Sequence, residues 1–381
     1  YDGAPHSESG IRPGRETRPF FRLYQRSVSR KGTGVNEDLE VLMNWVDWRE
    51  SYEVQRATVQ DFHARCANSL GASCGFRPPD DQGLRVERNL FSTLFVLATK
   101  TLGLPERAVR FYAMVNQCMR ALVTGCDNLL DDEFKEVIPF DLPGDGTKFR
   151  SVLTIMTADR VLFELALDAF EERLVSADHA KKLARKVLDV LMPSGIEEHE
   201  EEAGKAIRIY TPAEVSADIH YRKTGLLFEA PLTLIQEMGG VDPGRCKRVN
   251  DALCRVGLAC QALDDIKDTA RDLERAQCNM VISYALHGDV AEERDAAAAF
   301  LEGREGAGPS ADCAASELTT ARSRTFAHAL RLFGQAERLL CANVPGLEPI
   351  HATALTHVIM GALGFGLETT QRRAEEQGIL V

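Results

Sequence analysis

The chain has 381 residues, a mass of 42.1 kDa and a formal net charge of −12. This length can bury a large core and does not require a second domain. The negative charge argues against nucleic acid as a partner, because the sequence has no basic stripe to release phosphate counterions. No apolar run approaches the roughly 20 residues of a membrane span, so we predict no integral membrane segment and expect a cytoplasmic protein.

The first 36 residues are rich in Gly, Ser, Pro and Arg and lack apolar periodicity, which predicts a flexible N-terminal segment over 1–36. Residues 37–381 are predicted to form one α-helical domain, because helix-favouring residues abound and alternating β-branched stretches are few. The ten cysteines lie at apolar helical positions without C-x-x-C pairing, so we expect reduced thiols. Helix breaks are predicted at 103–105, 142–146, 193–195, 239–240, 243–244 and 303–310.

An acidic cluster, Asp127-Asn-Leu-Leu-Asp131-Asp132-Glu133, ends the helix whose apolar positions run from Val115 to Leu130. Asp127 and Asp131 are four residues apart and therefore share a helix face, where like charges repel unless a cation lies between them. We predict that Asp127, Asp131 and Asp132 bind metal.

A second cluster, Gln261-Ala-Leu-Asp264-Asp265-Ile-Lys-Asp268, lies on a later helix. Asp264 and Asp268 share a face and Asp265 lies beside them, so all three are predicted metal ligands. Carboxylate oxygens that leave room for water suit Mg²⁺, which is commonly shared with substrate phosphates. The pair of clusters predicts a diphosphate site holding several Mg²⁺ ions, with Mn²⁺ as an alternative, whereas either cluster alone could be a solvated acidic face.

Residues from about Gly83 to about Leu286 resemble the trans-isoprenyl diphosphate synthases and the class I terpene synthases that share their helical fold. The resemblance is carried by the second acidic cluster with its Gln261, by Lys223-Thr-Gly-Leu-Leu-Phe-Glu-Ala-Pro231, and by Gly146-Thr-Lys-Phe-Arg150 with Ala158-Asp-Arg-Val-Leu-Phe163. It implies an antiparallel helical bundle around a deep apolar cavity, with both acidic motifs at the mouth. It also implies a prenyl diphosphate substrate and a homodimer.

The resemblance assigns roles to single residues. Lys223 would contact the substrate diphosphate and would act with Asp127, Asp131, Asp264, Asp265 and Asp268 in catalysis. Arg150 and Arg275 are the further candidates for diphosphate binding. The predicted pocket residues are Phe95, Leu122, Val123, Tyr221, Phe228 and Gln261, of which the aromatic ones are also ordinary core candidates.

Several departures from the prenyl synthase pattern concern the second substrate. Asn128 replaces an aspartate of the first motif, and Arg120 stands where the family has His or Gln. Leu84 and Glu87 stand where the family has Lys and Arg that bind isopentenyl diphosphate. Glu136 and Val137 stand where it has a pair of arginines that hold the allylic and homoallylic diphosphates. A second diphosphate bound there would lose its hydration without gaining cationic donors.

These departures predict a class I terpene synthase or cyclase, a Mg²⁺-dependent lyase that ionises one C15 or C20 prenyl diphosphate. Two alternatives stay open. The first is a prenyltransferase that elongates a prenyl diphosphate or prenylates another acceptor. The second is a non-catalytic partner of an active prenyl synthase.

Overall fold

The computed structural model describes residues 33–71, 74–130, 134–144, 146–202, 209–302 and 310–366. Residues 1–32 of the predicted flexible segment lie outside these ranges, as does most of the predicted break at 303–310. The first helix begins at Thr33, slightly before the predicted boundary at residue 37.

The described residues are almost entirely helical, which confirms the all-α prediction. A short 3₁₀ helix, Val86–Asn89, precedes α3, and a π-helical segment, Val215–Gly225, connects α7 to α8. The only described strands, β1 Gly75–Phe76 and β2 Phe140–Asp141, form one antiparallel pair. The helices are α1 Thr33–Asn44, α2 Val46–Leu70, α3 Leu90–Thr101, α4 Glu106–Leu130, α5 Thr147–Glu171, α6 Ala177–Glu202, α7 Pro212–Glu214, α8 Leu226–Met238, α9 Pro243–Arg275, α10 Met280–Leu286, α11 Ala291–Glu302, α12 Ala311–Glu317, α13 Thr319–Asn343 and α14 Pro349–Ala362.

The long helix α9 has well-defined start and stop signals. The Asp242 carboxylate accepts hydrogen bonds from the backbone N–H groups of Gly244 and Arg245 at 3.0 and 3.3 Å. Pro243 occupies the first turn, where its missing N–H costs no helical hydrogen bond. The helix ends at Arg275, and the next residue, Ala276, adopts a left-handed conformation with φ 54°.

The predicted break at 193–195 is wrong, because Pro193 lies inside α6. A proline within a helix removes one backbone hydrogen bond and disturbs the preceding turn. Tertiary contacts on the next turn offset that cost. The Ser194 hydroxyl donates to the Lys223 carbonyl at 3.0 Å, and Glu197 forms an ion pair with Arg222 at 3.1 Å.

Apolar side chains form two main clusters on either side of α8. The first joins α2, α4, α5 and α6, and the second joins α3, α9, α13 and α14, while α8 contributes to both. Helices α4 and α5 approach closely at Gly125, where a Cβ would lie 2.7 Å from Ile155 Cγ1. This contact places the end of α4, and with it Asp127, against α5.

Two further sequence predictions concern cysteines and membrane spans. All ten cysteines are described, and none forms a disulfide. Burial raises the pKa of the Cys66 thiol to about 12, which suits a structural thiol. In the described part of the chain, no helix combines the length and apolarity that crossing a membrane requires.

Candidate active site

The first acidic cluster begins on the last turn of α4. Asp127 is half-buried there and forms an ion pair with the Nζ atom of Lys135, whose side chain is only 10% exposed. Asp131 and Asp132 lie outside the described residues. Of the three ligands predicted in this cluster, Asp127 is therefore the one that the structure places.

Asn128 does not point toward a ligand position. Its side chain is buried, its Nδ2 atom donates to the Lys135 carbonyl at 3.1 Å, and its Oδ1 atom accepts from the Lys135 backbone N–H at 2.8 Å. The amide thus closes the loop after α4 and holds Lys135 beside Asp127. Asn128 has a structural function that the sequence comparison with the prenyl synthase motif did not suggest.

Asn128→Asp is expected to lower the free energy of unfolding by about 1–3 kcal/mol, because the new carboxylate cannot donate to the Lys135 carbonyl and is buried against it. Urea unfolding at pH 7 measures the loss. Asn343→Asp is the matched control, because the Asn343 amide also donates to a backbone carbonyl, that of Leu339 at 2.8 Å. Asn343 is less buried and its Oδ1 atom accepts from Arg248, so the loss there should be smaller. Equal stability of Asn128→Asp and wild type would contradict this structural role of Asn128.

The second acidic cluster forms a row along one face of α9, because Asp264, Asp268 and Asp272 follow one another at four-residue intervals. Burial and the neighbouring Asp264 carboxylate raise the pKa of Asp268 to about 8. Burial raises the pKa of Asp272 to about 6, although Arg271 opposes the shift. Burial also raises the pKa of Asp264, which Lys267 opposes. The positive charge around the row is therefore too small to offset the free-energy cost of ionising all three carboxyl groups.

Lys135 connects the two acidic helices electrostatically. It pairs with Asp127 on one side, and its charge acts to lower the pKa of Asp264 on the other. Such a contribution requires the two groups to be close, so the end of α4 and the row on α9 face a common space. That the two clusters bind metal together stays a prediction.

Two basic side chains of α9 form ion pairs with the acidic row. Lys267 Nζ lies 3.6 Å from Asp264 Oδ1, and Arg271 Nη2 lies 2.9 Å from Asp268 Oδ2. Within the described ranges, no three His, Cys, Asp or Glu side chains are grouped closely enough to form a ready metal site. The oxygen donors and their raised pKa values nevertheless fit a divalent cation, since bound positive charge would favour the ionised carboxylates.

The metal-free protein is expected to lose stability as the pH rises from 6 to 8. Asp268 and Asp272 have folded-state pKa values of about 8 and about 6, above the value of 3.8 for an unperturbed aspartate. The folded state therefore holds more protons than the unfolded state in this range, and the stabilisation present below pH 4 is lost as the pH rises through the folded-state pKa values. We expect a loss of about 2–3 kcal/mol.

Urea unfolding in EDTA at pH 6 and pH 8 measures this dependence. Asp268→Asn should reduce the slope, because it removes the group with the higher pKa. Stability that stays level or rises between the two pH values would contradict the assignment.

Asp265 points away from the row and into a buried hydrogen-bond network. Its Oδ2 atom accepts from the Met280 backbone N–H at 2.6 Å and contacts His220 Nε2 at 2.9 Å, while its Oδ1 atom accepts from Gln261 Nε2 at 3.1 Å. Burial acts to raise the pKa of Asp265, but His220 and the Met280 N–H hold it below its usual value. The predicted metal-ligand role does not suit this carboxylate, because its oxygens already hold other partners.

Lys223 lies in the π-helical segment, a rare geometry that is frequent at functional sites. Three contacts fix the segment: His220 to Asp265, the Thr224 hydroxyl to Gln261 Oε1 at 2.5 Å, and Ser194 to the Lys223 carbonyl. The charge of Lys223 acts to lower the pKa of Asp272, so the lysine lies near the end of the acidic row. The structure thus brings Lys223 near the second acidic cluster, and its contact with a diphosphate stays a prediction.

The predicted pocket residues separate into different environments. Phe95 packs edge-to-face on Phe228 at 5.5 Å between ring centroids and lines a small cavity of about 10 Å³. Leu122 packs into the α2–α4–α5–α6 cluster, and Val123 is half-buried. The pocket is lined by Phe95, Val96, Thr99, Tyr112, Ala113, Asn116, Pro231 and Ile235.

Tyr221, Phe228 and Gln261 do not line this pocket, and their contact with a substrate stays a prediction. The Tyr221 hydroxyl donates to Glu229 at 3.1 Å, and Gln261 belongs to the Asp265 network. Phe228 fills the contact between α8 and α9, where a Cβ on Gly257 would lie 2.8 Å from the Phe228 ring. Gly257 is therefore required for close packing rather than for binding.

The two arginines predicted to bind diphosphate are placed differently. The Arg150 guanidinium donates to the backbone carbonyls of Phe140, Leu142 and Gly144, so it supports the loop before α5 instead of facing the acidic row. Arg275 is exposed on the last turn of α9. The structure supports a loop-stabilising role for Arg150 and leaves the role of Arg275 a prediction.

Several solved structures of prenyl diphosphate synthases have the same fold as this chain. A decaprenyl diphosphate synthase from Rhodobacter capsulatus superposes with a TM-score of 0.56 at 14% identity, over 86% of this chain and 98% of that one. The chain has the fold of the trans-prenyl diphosphate synthases. The predicted resemblance is thereby confirmed at the level of the fold.

Two further structures with the prenyl synthase fold give similar values. A polyprenyl synthase from Caulobacter crescentus, complexed with calcium and isoprenyl diphosphate, has a TM-score of 0.56 at 16% identity, covering 88% of this chain and 98% of that one. A geranylgeranyl pyrophosphate synthase from Bacteroides thetaiotaomicron has a TM-score of 0.55 at 15% identity, covering 85% and 99%. At the level of sequence, no family model and no curated protein matches the chain.

On this prenyl synthase fold, the region predicted to have lost the second diphosphate site is built from internal contacts. Leu84 is buried, Val137 packs against the α2–α4–α5–α6 cluster, and Glu136 forms an ion pair with Arg77 at 2.9 Å. The Arg120 guanidinium donates to Asn89 Oδ1 at 3.1 Å and to the Arg88 carbonyl at 3.0 Å.

Proposed function

We propose that this protein is a divalent-metal-dependent enzyme that acts on prenyl diphosphates and transfers the prenyl group to a second substrate. The observation that carries the proposal is the common space between Asp127 and the acidic row on α9, with Lys135 between them and Lys223 at the end of the row. The sequence alone favours cyclisation of a single substrate. The superposition on polyprenyl and geranylgeranyl synthases supports prenyl transfer instead.

In this proposal, Asp127, Asp264 and Asp268 hold Mg²⁺ or Mn²⁺, together with Asp131 and Asp132 of the first cluster. The bound ions would neutralise the charge that grows on the departing diphosphate. Lys223 donates hydrogen bonds to diphosphate oxygens, and the π-helical segment orients it. Asp265 keeps that segment in place through His220. Apolar side chains of the bundle would exclude water from the bound hydrocarbon chain.

The second candidate is a class I terpene synthase that ionises a single C15 or C20 prenyl diphosphate. The internal contacts of Leu84, Glu136 and Val137 favour it, because none of these residues offers a cationic donor to a second diphosphate. Both candidates use the same acidic row and differ in what accepts the prenyl cation.

Product analysis separates the candidates. Purified protein is incubated with Mg²⁺ and C10, C15 or C20 prenyl diphosphate, with and without isopentenyl diphosphate, and organic extracts are analysed by gas chromatography and mass spectrometry. Longer diphosphates formed only with isopentenyl diphosphate support transfer, whereas hydrocarbons or alcohols from one substrate support the terpene synthase. Absence of both product classes and of pyrophosphate release would overturn the enzyme assignment and favour a non-catalytic partner.

A further inference from the structure

Lys267 is a largely buried cation within the acidic row, and the proposed function gives it no role. Its side chain is 18% exposed, and its Nζ atom lies 3.6 Å from Asp264 Oδ1. This distance exceeds the roughly 2.7–3.2 Å of a hydrogen bond, and among the described residues Nζ has no hydrogen-bond partner. Lys267 and Asp264 therefore attract each other through charge, without a directed hydrogen bond.

An aromatic ring covers the same ammonium group. Lys267 Nζ lies 5.4 Å from the centroid of the Phe365 ring, which is within the range of a cation–π interaction. Phe365 is itself buried and stacks on Phe326 of α13, so its ring is held in place. Two contacts, one with the ring face and one with the Asp264 carboxylate, thus stabilise the charge of Lys267.

The other basic side chain of the row is held more closely. Arg271 Nη2 lies 2.9 Å from Asp268 Oδ2, which is a hydrogen-bonding distance, and Arg271 Nε lies 3.3 Å from Asp272 Oδ1. Arg271 therefore binds two carboxylates, whereas Lys267 attracts Asp264 from a greater distance. Of the carboxylates in the row, Asp264 is the one whose basic partner is most easily displaced.

A divalent cation at Asp264 would compete with Lys267. Mg²⁺ binds carboxylate oxygens at about 2.0–2.1 Å. With twice the charge at a shorter distance, it would attract Asp264 roughly three times as strongly in the same medium as Lys267 does from 3.6 Å. The metal would also be repelled by the Lys267 charge. Lys267 therefore lowers the free energy gained on metal binding without preventing it.

We propose that Lys267 is an internal counterion of Asp264 that competes with the divalent cation and thereby sets the metal affinity of the site. This inference rests on the proposed function, because it requires Asp264 to be a metal ligand. Without metal, Lys267 neutralises Asp264 while Phe365 covers the ammonium group. When metal binds, a metal–carboxylate contact replaces the ion pair.

Mn²⁺ binding in the absence of substrate tests the proposal. The full chain is titrated with Mn²⁺ at pH 8.5, and the free ion is measured by electron paramagnetic resonance. Lys267→Met removes the charge and keeps the length of the side chain, so it should bind Mn²⁺ about fivefold to tenfold more tightly than wild type. Lys267→Arg keeps the charge and should bind no more tightly than wild type. Lys100→Met is the matched control, because Lys100 pairs with Glu50 outside the acidic row, and its Mn²⁺ affinity should not change.

Phe365→Leu gives a second test that leaves both charged groups in place. Leucine keeps an apolar cover but lacks the ring face that stabilises the ammonium group of Lys267. Lys267 should then compete less well, and Mn²⁺ should bind about twofold to fivefold more tightly. Unchanged or weaker binding by folded Phe365→Leu would contradict the role of the ring.

A double-mutant cycle separates competition at Asp264 from a general effect of charge. In an Asp264→Asn background, Lys267→Met should bring no gain in Mn²⁺ affinity, because the carboxylate for which the two cations compete is absent. An equal gain in both backgrounds would overturn the proposal, as would no gain from Lys267→Met alone. Circular dichroism checks that each variant is folded.

The outcomes also separate this inference from the proposed function. If wild type binds Mn²⁺ and Lys267→Met binds it no more tightly, the counterion role fails and the proposed function stands. Tighter binding by Lys267→Met in a protein that forms no product from any prenyl diphosphate would support the counterion role and overturn the proposed function. If neither protein binds Mn²⁺, both proposals fail.

Discussion

Asp264→Ala is expected to lower the turnover of a prenyl diphosphate about a hundredfold to a thousandfold while the protein keeps its fold. Charge stabilisation by a bound metal contributes several kcal/mol to such reactions, and each 1.36 kcal/mol is a factor of ten in rate. Asp264 belongs to the acidic row and lies near Lys135 of the facing loop. Asp127→Ala should act in the same direction, because Asp127 lies on the other side of the same space.

The stability of Asp264→Ala should equal or exceed that of the wild type without metal, because the substitution removes a carboxylate whose pKa burial already raises. Pyrophosphate release measures turnover, and differential scanning fluorimetry measures the melting temperature. Asp251→Ala, earlier on α9 and outside the acidic row, is the control. Near-normal turnover of both Asp264→Ala and Asp127→Ala would remove the metal assignment.

Asp265→Ala, one residue further on, is expected to behave in the opposite way and to lower the free energy of unfolding by about 3–5 kcal/mol. The substitution leaves the His220 ring, the Gln261 amide and the Met280 backbone N–H without their shared acceptor in a buried place. Asp265→Asn keeps the shape of the side chain and should lose less. Urea unfolding at pH 7 gives both values.

The effect of Asp265→Ala should shrink as the pH falls. Because the folded-state pKa of Asp265 is lowered, its contribution is complete above the unfolded-state value of about 4 and is lost as the pH falls through the folded-state value. A repeat at pH 3.5, with the wild type as reference, measures this change. Wild-type stability of Asp265→Ala at pH 7 would show that the network does not hold the π-helical segment.

The positions of the two acidic helices could be predicted from sequence because helical periodicity is local. Carboxylates four residues apart share a face whatever the rest of the chain does, which placed Asp264 with Asp268 correctly. The same periodicity also contained the signal for Asp265. It is four residues from both Gln261 and Thr269 and so lies on a different face from the row.

Long-range contacts account for what the sequence did not predict. The partner of Asp265 is His220, 45 residues earlier in the chain, and only tertiary packing brings them together. Asn128 was interpreted as a lost metal ligand because its true partner, the backbone of Lys135, belongs to a loop without periodicity. Arg150 was interpreted as a diphosphate ligand because sequence shows its charge but not the carbonyl groups that it binds.

The π-helical segment makes the alignment of two contacts depend on chain length. His220, within the segment, contacts Asp265, and Phe228, just after the segment, packs on Gly257. Both contacts are with α9, so they fix the number of residues between them. Removing one residue between them would turn everything downstream by about 100°. Lys223 could then face the acidic row only if Phe228 left Gly257. Natural or engineered variants of this protein should therefore tolerate substitutions between 215 and 225 far better than a change in the number of residues there.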